Sequence, residues 1–110
     1  MKDLLVKEHV VSFEIAEKLK ECGFPQDYTL MHWIVDDKKY PAPNASELIH
    51  LMPKYDEKLG HLIIYWDQGR LLWVVGYKNS DGIINYIGES VKLENALALC
   101  WININIDKKS

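Results

Sequence analysis

Cysteine is scarce in this chain and arginine scarcer: Cys22 and Cys100 are the two thiols, and Arg70 is the one arginine among 110 residues. The thiols stand far apart with no Cys-x-x-Cys spacing, so they are expected as small buried apolar groups rather than as a bridge or a metal clip. Long apolar runs are missing too. Near the strands the longest is Leu71 to Val75, far short of the roughly 20 residues that span a bilayer. Met1 to Glu8 places only Leu4, Leu5 and Val6 together before charge returns, too little for the apolar part of a signal peptide, so a cytoplasmic location is expected. Without a secretory route, Asn44-Ala45-Ser46 matches the glycosylation acceptor only by chance. Nor is there an excess of positive charge. Thirteen basic against sixteen acidic side chains leave a net charge of -3, and no strong field invites phosphate backbones.

Chemistry-bearing motifs are equally thin. His9, His32, His50 and His61 are never three or four positions apart and never beside a cysteine, so no local metal-ligand spacing exists. The glycines at 23, 60, 69, 76, 82 and 88 fit neither a phosphate loop nor a dinucleotide fingerprint. Asp36 and Asp37 are paired carboxylates, but neighbouring turn positions point apart, and a solvated turn explains them. Ser90 lacks the second glycine of a nucleophile elbow and suits a helix start. No cofactor and no catalytic residue is expected. An enzyme would need a site assembled from distant groups such as His32, Asp36 and Tyr65, with nothing in the sequence to bring them within proton-transfer reach.

What is present is a patterned 48% of hydrophobic residues with 26% charged, as expected of one globular domain. Val11, Ile15, Leu19 and Cys22 have helical spacing, with Ser12 in the N-cap position and Gly23 as the stop. Tyr28 to Val35 is rich in bulky and branched residues and suits a strand, ended by Asp36-Asp37-Lys38-Lys39. Tyr40-Pro41-Ala42-Pro43 must be extended. Asn44 and Glu47 have the spacing of a capping box, which starts a second helix burying Leu48, Leu51 and Met52 and ended by Pro53. Lys54 to Gly60 reads as a helical turn or a charged connection.

His61 to Trp66, Arg70 to Tyr77 and Ile83 to Ile87 follow as strands, the first two joined by Asp67-Gln68-Gly69 as an antiparallel hairpin. Gly88-Glu89-Ser90 ends the sheet. Leu93, Ala96, Leu97, Cys100 and Ile104 then repeat at helical spacing, although Trp101 to Ile106 alternates as a strand would; helix is the expectation there. The fold expected over residues 1–110 is a single α+β domain, three helices on a mainly antiparallel four-stranded sheet, in the order α-β-α-β-β-β-α.

Val11-Ser12-Phe13-Glu14-Ile15-Ala16 with Leu19-Lys20 and Gly23-Phe24, then Tyr40-Pro41-Ala42-Pro43 before a helix, then Tyr86-Ile87-Gly88-Glu89-Ser90 before a last helix, resemble a group of small uncharacterised proteins encoded near prophage and mobile-element genes of gut bacteria. The resemblance spans most of the chain and implies a genetic context without an activity. Pro53 departs from it, interrupting a central helix that the group continues.

Aromatic residues are the one feature above background. Trp33, Tyr65, Trp66, Trp73, Tyr77 and Tyr86 fall on expected strands, and Leu71 to Tyr77 is apolar on both faces, as an internal strand would be. His61 to Trp66 repeats that pattern. Most of these rings belong in a core, but a face that the helices leave uncovered would display them, with Trp33, Tyr65, Trp73, Tyr86 and Arg70 as the binding set. The last helix carries more apolar surface than one sheet needs, and Leu99, Ile102 and Ile106 form its second stripe, a candidate dimer interface. The function expected is therefore a small, non-enzymatic interaction or accessory module acting as a homodimer or on a protein partner. A second reading is nucleic-acid binding, because the segment from Asn44 has the α-β-β-β-α order of a double-stranded RNA-binding domain. Against it, the last helix begins Glu89-Ser90-Val91-Lys92-Leu93-Glu94 and lacks a basic stripe. Small antitoxin domains share a similar element order, an analogy from topology alone.

Overall fold

Hydrophobic spacing, proline and turn residues divide the chain into α1 (Phe13–Glu21), β1 (His32–Val35), β2 (Lys38–Pro41), α2 (Ala45–Leu51), β3 (Tyr55–Asp56), β4 (Gly60–Asp67), β5 (Leu72–Lys78), β6 (Ile84–Ser90) and α3 (Leu93–Lys109). The computed structural model describes residues 9–25 and 27–109, the last three by backbone alone. The architecture is α+β with antiparallel strands, as expected, but the strands are divided between a β1-β2 hairpin and a four-stranded sheet of order β3-β4-β5-β6.

Helix α1 buries Ile15, Ala16 and Leu19. Its end is a Schellman motif: Phe24 N–H donates to the Leu19 carbonyl and Gly23 N–H to that of Lys20, with Gly23 at φ +82°, a conformation that glycine adopts without Cβ strain. At its start Ser12 makes no side-chain capping bond. The backbone N–H of Ser12 instead donates to Asn95 Oδ1 at 2.9 Å, tying α1 to α3.

The strand expected over Tyr28–Val35 shrinks to His32–Val35, and it does not enter the main sheet. It folds back on Lys38–Pro41, with Val35 opposite Lys38. Asp36 and Asp37 between them have φ 52° and 63°, so the two-residue turn has the positive angles of type I′. Pro41 is tolerated because it sits at the end of a short strand in a two-stranded sheet, where no second neighbour needs its missing N–H.

The capping box at Asn44 is present: Glu47 N–H donates to Asn44 Oδ1 at 2.8 Å, and Asn44 N–H to Glu47 Oε1 at 3.0 Å. Glu47 also accepts the Thr29 hydroxyl at 3.2 Å and the Leu30 N–H at 3.0 Å, so one carboxylate starts α2 and fastens the loop before β1. Replacing Glu47 by Ala strands those donors and is expected to lower the unfolding free energy by about 2 kcal/mol. Urea denaturation would measure it, and an unchanged midpoint would show that the loop is held elsewhere.

The ambiguous tail is helix: α3 runs unbroken from Leu93 to Lys109. It packs against β6 and β5 on one side and against α1 and α2 on the other, which is why it is apolar nearly all round. Ala96, Leu97, Ala98, Cys100, Ile102 and Ile104 join Val11, Leu19, Phe24, Leu48, Val75 and Tyr77 in one buried cluster. Burial raises the Cys100 thiol to about 12, an inert apolar group at neutral pH. This arrangement corrects the expected dimer stripe. Ile102 is buried in the core and Leu99 packs against it, leaving Ile106 exposed.

Candidate interaction surface

Cross-strand partners share a face of a sheet, so the register sorts every side chain. Leu62, Ile64 and Trp66 of β4 stand with Tyr77, Val75 and Trp73 of β5, on the side where Val75 and Tyr77 enter the core beneath α3. Ile63, Tyr65 and Asp67 stand with Gly76, Val74 and Leu72 on the outer face, and Glu89 of β6 joins them opposite Val74. Val74 is 2% exposed yet lies outside the main core cluster. The side chains around it on the outer face therefore bury it.

Between Val75 and Tyr77 the β5-β6 register slips. Tyr86 there has φ 58°, an angle that costs a bulky residue of order 1–2 kcal/mol. The extra residue lets Ile84 and Ile87 close over Gly76, where a Cβ would fall 2.7 Å from Ile84 Cγ2. At the opposite end of the face Arg70 reaches across three strands. Its Nε donates to Asp67 Oδ2 at 2.8 Å and its Nη2 to Glu89 Oε2 at 2.5 Å. The hydrogen bond from the Arg70 side chain holds the Asp67 carboxyl below the usual aspartate range. Counted by charge, the clasp is one cation between two anions.

The two margins of the sheet are treated differently. On the inner face of β6, α3 comes so close that a Cβ on Gly88 would lie 2.1 Å from the Ala96 carbonyl oxygen, and the helix also reaches the margin itself. Asn103 Nδ2 of the same helix donates to the Ile87 carbonyl at 2.8 Å. A helix laid along a margin in this way protects it from foreign strands. On the other side, β3 pairs only through Tyr55 with His61 and Asp56 with Gly60, and Lys54 carbonyl accepts the Leu62 N–H at 2.9 Å. Pro53 ends α2 and the chain leaves the sheet. From Ile63 to Asp67, β4 has β5 on one side and no strand partner on the other among the described residues. Ile64, Tyr65 and Trp66 are 36%, 42% and 40% exposed, on both faces of that open margin.

Of the five binding residues expected from the sequence, the outer face holds Tyr65 and Arg70. Trp73 lies on the opposite face, its ring 5.5 Å from that of Trp66. Tyr86 packs against the core. Trp33 belongs to the β1-β2 hairpin, where its Nε1 donates to the Val11 carbonyl at 2.9 Å. The structure thus does not gather the five into one surface. Ile63, Ile64 and Trp66 are the residues that the expectation missed. Their signal was in the sequence, as a strand apolar on both faces followed by an equally apolar partner.

A second apolar exposure occurs at the hairpin, where Leu30 and Ile34 are 89% and 68% exposed. Tyr55, Lys58, His61, Lys78 and Ser80 are among the residues lining an open hollow of about 370 Å³ at the β3-β4 corner. Among the described residues no group of three or more His, Cys, Asp or Glu side chains is placed to hold a metal ion. His32 and Asp36 sit on the hairpin and Tyr65 on the other sheet. Comparison with known protein families, with curated proteins and with solved structures finds no match to this chain.

Proposed function

We propose that this chain is a non-enzymatic interaction module that holds a second polypeptide along the open margin of its four-stranded sheet. The observation that carries the reading is the mismatch at β4. Its residues are apolar toward both faces, the pattern of a strand whose two faces are covered, yet Ile64, Tyr65 and Trp66 are 36%, 42% and 40% exposed, and beyond Leu62 the strand is a margin among the described residues. An exposed apolar margin is a liability unless something pairs with it, and main-chain pairing with pockets for alternate side chains is a common mode of polypeptide recognition.

The displaced proton affinities support a structural rather than a catalytic use of the ionisable groups. Tyr77 and Cys100 are displaced by burial, and Asp67 and Arg70 chiefly by each other. Helix α3 begins with Glu94 in its first turn, which weighs against a phosphate-binding role for that end. No described helix is long and apolar enough to cross a membrane. The proposed place of work is the cytoplasm.

Replacing Ile64 by Lys tests the reading, because a charge on the open margin should block pairing while β4 keeps its bonds to β5. Tagged wild-type and variant protein are compared for the polypeptides each retains from native-host extract, with an untagged copy of the chain added. The expected result is one polypeptide retained near one-to-one by the wild type and lost from the variant, which keeps its far-ultraviolet circular dichroism. Retention that ignores the substitution, or none at all, would overturn it.

A further inference from the structure

Resting on that reading, we infer that the held polypeptide is a second copy of this chain, paired antiparallel with itself along β4 about a twofold axis at Tyr65. The argument begins with hydrogen-bond parity. Successive residues of a strand turn their N–H and C=O groups to opposite sides. Leu62 donates toward Lys54, away from β5, so Ile64 and Trp66 present their N–H and C=O groups on the same open side.

A twofold at Tyr65 sets Ile64 opposite Trp66 of the second copy and Trp66 opposite its Ile64. Each of these is a hydrogen-bonded pair that exchanges two bonds. All the open groups of Ile64 and Trp66 on both copies are then satisfied at once. Shifting the axis by one residue in either direction brings Leu62, already bonded to Lys54, or the Gln68 turn into the ladder and loses bonds. Tyr65 meets Tyr65 of the second copy across the outer face, and Ile64 meets Trp66 on the inner one, branched and aromatic pairs of the kind that stabilise neighbouring strands.

Charge follows the same symmetry. On the outer face β4 runs from His61, opposite Lys78, to Asp67, where the clasp with Glu89 and Arg70 carries excess negative charge. Antiparallel self-pairing brings the Asp67 end of each copy toward the Lys78 end of the other on that face. A foreign strand would need that gradient built separately; the second copy carries it already. The result is a continuous sheet β6-β5-β4-β4-β5-β6 with α3 of each copy protecting its two outer margins. Five paired residues a side fall well short of the roughly 800 Å² per partner typical of tight complexes, so association in the micromolar range is expected.

Light scattering between about 1 and 200 µM, together with cross-linking, decides it. The wild-type mass is expected to rise from 12.8 kDa toward twice that value, and Ile64→Lys to weaken the association about 100-fold. With Cys22 replaced by Ser, Tyr65→Cys is expected to form a disulfide-linked dimer under copper-phenanthroline oxidation, since facing non-hydrogen-bonded residues have Cα atoms about 4.5 Å apart. Leu71→Cys, exposed but off the margin, is expected to stay monomeric. The cysteine variant leaves the Ile64 and Trp66 bonds intact, so it reports even if the lysine variant folds poorly. A wild type that remains 12.8 kDa at 200 µM, or equal cross-linking at positions 65 and 71, would overturn self-pairing. If another polypeptide is then captured in an Ile64-dependent way, the interaction reading stands alone; if none is, both fall.

Discussion

Gly88→Ala is expected to leave the protein largely unfolded or, if folded, weaker by at least about 3 kcal/mol in urea denaturation. Gly88 lies opposite Val75, on the sheet face beneath α3. A methyl group there would sit 2.1 Å from the Ala96 carbonyl oxygen and 2.6 Å from the Cys100 amide nitrogen. Both are helix backbone atoms, so neither can swing aside as a side chain would. The whole helix must lift from β6, opening the cluster that Leu97, Cys100 and Ile104 build against Val75 and Tyr77. Domains of this kind have only about 5–15 kcal/mol in reserve. Gly23→Ala is the control: its added methyl would meet nothing within 4 Å, but φ is +82°, so only the left-handed strain of about 1–2 kcal/mol applies. A loss under about 1 kcal/mol at Gly88 would mean that α3 and β6 do not touch as described.

That contact also shows what a single sequence hides. Gly88-Glu89-Ser90 has the composition of a turn, and on local grounds it marks the end of the sheet. In the fold it is the last part of β6, with glycine required by a helix that approaches from far along the chain. Local chemistry was legible wherever partners lie three or four positions apart. The Asn44-Glu47 box, the Gly23 stop and the helical spacing of Leu93 to Ile104 are of that kind. The β4-β5 pairing was legible for a similar reason, since a short polar turn joins two strands of matching pattern.

What escaped depends on distant packing. Asp36-Asp37-Lys38-Lys39 has the polarity of a strand end, but Lys38 and Lys39 already belong to the returning strand of a two-stranded hairpin, whose low demand on the missing N–H also admits Pro41. The pair Tyr55–Asp56 is too short to carry a period of its own, so β3 could not be seen and β4 could not be recognised as mostly a margin. Ile102 looked spare because α3 was credited with one packing surface, whereas α1, α2 and the sheet surround it. The candidate site followed the same logic. Tyr65 and Arg70 were found because aromatic and charged residues stand out, while Ile63, Ile64 and Trp66 acquire meaning only once the edge beside them is known.

Tyr77 completes the set of large effects, with two substitutions separating its ring from its hydroxyl. It is the largest fully buried side chain among the described residues, and its hydroxyl donates to the Pro53 carbonyl at 2.8 Å. Tyr77→Ala should cost about 4 kcal/mol, as emptying a packed aromatic site does. Tyr77→Phe keeps the ring and loses the bond that fixes the end of α2 to β5, about 1 kcal/mol. The two also part company in alkali. Burial raises the Tyr77 phenol above its ordinary value of 10.0, so the unfolded chain ionises there before the folded one. The raised value contributes stability below pH 10 that is lost as pH climbs through the folded value. Tyr77→Phe removes that contribution, so its deficit relative to wild type should narrow above pH 10, with Cys100 still titrating in both. Urea midpoints collected from pH 7 to 11 would show the curves converging; parallel curves would place the Tyr77 hydroxyl in water rather than against Pro53.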